Sequence, residues 1–119
     1  MPISKSIYSV KDHFEKRAPE VRAVYDAVLK AARRLGEVLE EPKKTSIHLV
    51  RRTAFAGVMP RKKGLILTLK SVTDVKSPRL FRRERVSKNR WHLAVRLHAP
   101  HQVDAELKAW MKASYKSAK

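Results

Sequence analysis

The chain of 119 residues has no cysteine. That excludes a disulfide framework and any thiolate metal site, and it fits a reducing compartment. Glycine occurs only as Gly36, Gly57 and Gly64, so neither a phosphate-cradling G-x-x-x-x-G-K loop nor a nucleophile elbow G-x-S-x-G can be written. No apolar run approaches the roughly 18 residues of a membrane helix. The opening MPISKSIYSVK lacks the apolar core of a secretory signal, so a cytoplasmic chain without membrane contact is expected. Acidic residues are also scarce, and their scarcity is local. The stretch Lys43–Lys70 contains none.

What is abundant is positive charge. The chain carries a formal +17, and residues 43–99 hold 16 Lys and Arg against 2 Asp and Glu, a net +14. A field of one sign on a small domain draws polyanions toward it and raises their encounter rate. The length allows one domain with one modest core.

The expected elements follow from periodicity. Ser9 with Asp12 caps a short helix from about Val10 to Arg17. Pro19 suits the first position of a second helix and Gly36 the position past its end, with Val21, Val24, Val28, Leu35 and the smaller Ala32 at helical spacing and Tyr25 and Leu29 widening the stripe. Glu37 to Pro42 reads as a connector. Alternation predicts strands over Thr45–Arg51, Ala54–Met59, Leu65–Lys70 and Trp91–His98. In the second of these, small residues alternate with Phe55, Gly57 and Met59. Ser71 to Arg90 lacks periodicity and reads as a long loop, with room for a helical turn near Leu80–Arg85. A last helix spans about Val103 to Tyr115.

The fold class is therefore α+β, a four-stranded antiparallel sheet covered on one face by the N-terminal and C-terminal helices. Residues 1–18 form an extension with a short helix, and residues 19–117 a single domain. The uncovered face would carry Ser46, His48, Val50, Ile66, Thr68, Lys70, His92, Ala94, Arg96 and His98.

Catalytic chemistry finds little support. Ser46 and His48 share a strand face about 6–7 Å apart, beyond direct hydrogen-bond reach. His92 and His98 stand roughly 20 Å apart along one strand, which excludes a shared ion. Glu41-Pro42-Lys43 has the E-x-K spacing of metal nucleases, but no upstream carboxylate accompanies it. No metal, no cofactor and no catalytic residue is expected, and an enzymatic role is disfavoured.

What remains is basic residues interleaved with aromatics. Lys43, Lys44, Arg51, Arg52, Arg61, Lys62 and Lys63 flank the expected strand ends, and Arg82, Arg83, Arg85, Lys88 and Arg90 crowd the expected loop. These are the candidate anion-binding groups. Phe55 and Trp91 fit inward positions, whereas Phe81, flanked by arginines, is the candidate stacking residue. Ser46, His48, His92 and Arg96 are secondary polar candidates. The expected site is the basic rim where it meets Ser71–Arg90. The expected partner is nucleic acid or another polyanion. The alternative is an accessory domain that meets an acidic protein surface or a small anion through Lys43-Lys44-Thr45-Ser46 and Arg90-Trp91-His92. Pairing of a sheet edge with a second copy stays open.

The segments PKKTSIHLVRRTAFAGVMPRKKGLILTLK, SKNRWHLAVRL and VDAELKAWMKASY resemble a family of bacterial domains of unknown function, about a hundred residues long. The resemblance covers roughly Pro19–Tyr115, with Lys43-Lys44-Thr45-Ser46-Ile47 and Arg90-Trp91-His92 its most specific parts. It implies an α+β fold occurring alone or fused at the C-terminal end of longer proteins. The label "predicted transport protein" attached to some relatives sits poorly with a chain lacking an apolar span.

Overall fold

A computed structural model describes residues 7–118. In chain order it contains α1 (Val10–Phe14), α2 (Pro19–Arg33), β1 (Leu39–Pro42), β2 (Ile47–Val50), β3 (Ala54–Pro60), β4 (Leu65–Ser71), β5 (Leu80–Ser87), β6 (Arg90–Leu97), a 3-10 turn (Pro100–Gln102) and α3 (Ala105–Ser117). The first six residues of the expected 1–18 extension lie outside the described residues. No helix among the described residues is long and apolar enough to cross a membrane.

The architecture is α+β, but the sheet has six strands, in the order β1-β2-β3-β4-β6-β5, every pairing antiparallel. The four-stranded expectation is corrected at both edges. Leu39–Pro42, read as a connector, pairs with β2. Leu80–Ser87, read as loop or helical turn, pairs with β6 along its length. Both are edge strands whose side chains are mostly solvated, so neither needs the apolar alternation that marks a half-buried strand.

The helices cover one face. Pro19 opens α2 with Glu20 in its first turn, where the missing proline N–H and the acidic charge both suit a helix start. Beyond its end, Gly36 has φ +153°, and a Cβ there would run into the Tyr115 hydroxyl, which donates to the Glu37 carbonyl at 3.0 Å. The buried stripe of α2 (Val21, Val24, Tyr25, Val28, Leu29, Ala32) meets α3 and the sheet. Asp104 caps α3 by accepting from the Leu107 N–H at 3.1 Å. Across β3 and β4, α3 lays Leu107, Met111, Ser114 and Tyr115. Below them Ile47, Leu49, Val58, Leu65, Leu67, Leu69, Val95 and Leu97 fill the core.

α1 is tied to this body. Phe14 packs on Tyr25 with ring centroids 5.1 Å apart, the buried His13 ring bonds the Lys43 carbonyl at 2.8 Å, and Arg17 reaches the Pro60 carbonyl at 3.4 Å.

Two bulges set which way aromatic side chains point. Between Leu49 and Val50 the β2–β3 register slips, so Phe55 escapes the face shared by Gly57 and Met59 and enters the core fully buried, edge-on to Tyr115. Between Leu80 and Arg82 the β5–β6 register slips in the same way. There Leu80 contacts the core, while Phe81 is left on the opposite, open face beside Arg82.

Candidate functional site

Strand pairing assembles the open face in rows. His48, Gly57, Thr68, Ala94 and Arg82 stand in register across β2, β3, β4, β6 and β5. With neighbouring strands about 4.8 Å apart, this row spans roughly 19 Å. Its middle is small, since Gly57, Thr68 and Ala94 project little. On one side stands a bulkier row, Met59, Ile66 and Arg96, and on the other Lys70 and His92. The difference in side-chain size makes a trough of about 560 Å³, with Phe81 and Arg82 at its outer end and Arg61 and Ser46 at the turn side.

The trough is apolar at its floor and cationic at its margins. Met59 and Phe81 are each 38% exposed and so remain available to a ligand. The guanidinium of Arg96 lies 4.1 Å from the Phe81 centroid, and that of Arg82 lies 5.9 Å away. Among the described residues no acidic residue lines the trough, although Glu84 stands opposite His92 on β5 and Glu41 opposite His48 on β1. Among the described residues, the side chains of His48, Lys70, Arg82, His92 and Arg96 make no hydrogen bond or ion pair within the chain. Their donors face solvent.

The other predicted cations are distributed differently. Lys43 and Lys44 precede β2, and Arg61, Lys62 and Lys63 form the β3–β4 turn, all at one end of the sheet. Arg51 and Arg52 in the β2–β3 turn, with Lys88 in the β5–β6 turn and Arg90 at the start of β6, lie at the other. The two ends are separated by the seven residues of β3, about 23 Å at 3.3 Å each. Of the two polar clusters, Lys43-Lys44-Thr45-Ser46 and Arg90-Trp91-His92, only Ser46 and His92 line the trough.

Several charges are already matched. Lys43 bonds Glu41 at 2.8 Å, and that bond holds the Glu41 carboxyl below its usual range. Arg83 lies on the helix-side face and pairs with Asp74 at 2.7 Å. Arg51 donates to the Tyr115 carbonyl at 3.0 Å and covers its ring at 4.4 Å, a structural clamp between the β2–β3 turn and α3. Arg85 donates to the carbonyls of Ser87 and Lys88, and its guanidinium lies 6.0 Å from the half-buried Trp91. Arg79 anchors the β4–β5 crossover to Asp104 at 2.8 Å and Glu106 at 3.1 Å; its bond to Asp104 is the main cause raising its already high pKa.

Thus Arg61, Phe81, Arg82, Ser46, His48, His92 and Arg96 converge on one trough, while Arg51, Arg83 and Arg85 turn to structural partners. Sequence reasoning did not single out Gly57 or Met59 for the site. The one available signal was Gly57 itself, a strand glycine with no side chain to fill the face. No group of three or more His, Asp or Glu among the described residues is placed to hold a metal ion.

Fold and trough together define a small basic α+β domain with an open, concave sheet face. The chain belongs to the family described as Domain of unknown function (DUF5655), matched over residues 10–118, a range that includes α1. No curated protein and no solved structure matches it significantly.

Proposed function

We propose that this domain is a binding module for nucleic acid, which it engages with the open face of its sheet. The observation that carries the reading is the trough itself. Lys70, Arg82 and Arg96, with His48 and His92, surround an apolar floor, no carboxylate lines it, and an exposed aromatic ring stands at its end. Cations without internal partners can exchange solvent for phosphate oxygens without breaking an existing ion pair. The cations at both ends of the sheet, Lys44 and Lys62 at one and Arg52 and Arg90 at the other, would extend the contact along a polymer longer than the trough.

A second reading rests on the trough's size. About 560 Å³ lies within the range of small-molecule sites, and a small anionic ligand would use the same cations without the turn residues.

Titration of the protein with a short labelled DNA or RNA at stepped salt concentrations tests the proposal. Binding that weakens steeply and linearly on a log–log plot supports it, because each neutralised phosphate releases counterion. Absence of binding at low salt refutes it. Full competition by inorganic phosphate at equal phosphate concentration transfers the site to the small-anion reading.

A further inference from the structure

We infer that the trough seats an unpaired base, so that the domain selects single-stranded over duplex nucleic acid; the inference rests on the nucleic-acid reading above and narrows it. Charge alone makes no such distinction. A flat basic surface touches phosphates, which duplex and single strand both present, and duplex at higher density. This surface is concave, and its lowest part is apolar. A duplex laid over it would cover Gly57 and Ala94 with its backbone and leave their apolar surface facing phosphate. An unstacked base, in contrast, offers an apolar face to the floor and a polar edge to Thr68 and His48.

Position supports the same occupant. Phe81 stands at the outer end of the trough because the β5 bulge leaves it on the open face. Arg96 holds the ring at 4.1 Å and presents a planar guanidinium of its own. Bases stack on aromatic rings and on arginine planes, and such stacking tolerates any base because every base has a π-face. Arg82 adjoins the ring on its own strand, and Lys70 lies at the opposite margin of the floor, so cations flank the seat on two sides, as a backbone passing across it requires. The expected preference is therefore for strandedness, with little dependence on sequence.

Gly57 supplies a clean test. A Cβ built there meets only the His48 ring carbon at 3.9 Å, ordinary contact distance, so the backbone accepts a side chain's first carbon on the face that carries the trough. Gly57→Trp fills the seat without removing a charge, and Phe81→Ala removes the stacking ring without touching the core. Fluorescence anisotropy would compare a labelled single strand of about 12 nucleotides with the duplex of the same length and with heparin, each variant first checked by circular dichroism and melting. The inference predicts that the wild type binds the single strand about tenfold more tightly than the duplex, that each variant loses about tenfold on the single strand, and that heparin binding is unchanged. Equal affinity for both forms, unmoved by either variant, overturns the inference while leaving nucleic-acid binding intact. No binding to either form overturns the broader reading together with it. If Gly57→Trp melts early, Phe81→Ala decides alone, since its ring is exposed.

Discussion

The guanidinium of Arg96 covers the ring of Phe81 at 4.1 Å, joining the interior strand β6 to the edge strand β5 on the open face of the sheet. Neither residue contributes to the core, and the contact exists because a bulge leaves Phe81 on this face. An exposed cation–π pair contributes about 0.5–1 kcal/mol. Arg96→Ala and Phe81→Ala should each lower stability by about that amount, and the double variant should lose less than the sum of the two. Urea unfolding of the four-member cycle measures the coupling; strict additivity would show that the rings and charges merely lie near one another.

The two strand-associated glycines should respond oppositely to alanine. At Gly64 a Cβ would strike the Leu97 carbonyl oxygen and press on His98, both backbone-anchored, so Gly64→Ala should cost about 1–3 kcal/mol as the β3–β4 turn is pushed from β6. At Gly57 the backbone φ is not positive and the space is open. Gly57→Ala should be neutral or stabilising by about 0.4–1 kcal/mol through the unfolded chain. Thermal melts of both variants suffice, and equal losses at the two sites would contradict the packing described.

Ser114 is buried within α3 and serves two backbone groups at once. Its hydroxyl donates to the Phe55 carbonyl at 2.5 Å and accepts from the Lys70 N–H at 3.0 Å, bridging the β3 bulge and β4. Ser114→Ala leaves both without a partner and should cost about 1–3 kcal/mol. A loss well below this in chemical denaturation would mean that another donor takes over.

Tyr25 should set an alkaline limit. Burial raises its hydroxyl pKa far above the ordinary value, helped by the 2.5 Å hydrogen bond to Glu40 and by that carboxylate's charge, against smaller opposing effects of Arg22 and Arg33. A group raised in the folded state contributes stability that is fully present below its unfolded pKa of about 10 and is lost as pH rises above it. Tyr25→Phe should therefore flatten the decline in stability above about pH 10. In an absorbance titration, Tyr25 should ionise only on unfolding. Ionisation of all three tyrosines in the folded protein would contradict its burial.

Much of the scaffold is legible in the residues because water enforces it. Leu65, Leu67 and Leu69, and Leu93, Val95 and Leu97, alternate as half-buried strands must, and α2 keeps its stripe. The edges are not legible, because LFRRERVS pairs through its backbone and only Leu80 reaches the core. The bulges at Phe55 and Phe81 defeat a period of two by one residue each. At the site, counting charges finds the cations but not their fates: Arg83 is taken by Asp74, nine residues away across the β4–β5 connection, whereas Lys43 is taken by Glu41, only two residues away. The trough depends on Gly57, Thr68 and Ala94 falling in one register row, which no single strand's sequence reveals.

The most direct test of nucleic-acid binding by the open face is an amide chemical-shift map of the isotopically labelled protein titrated with a short single-stranded oligonucleotide. The account predicts that the largest changes fall on Gly57, Thr68, Phe81, Arg82, Ala94 and Arg96, with α2 unmoved. Changes confined to the helices, or an unperturbed spectrum at low salt, would contradict it.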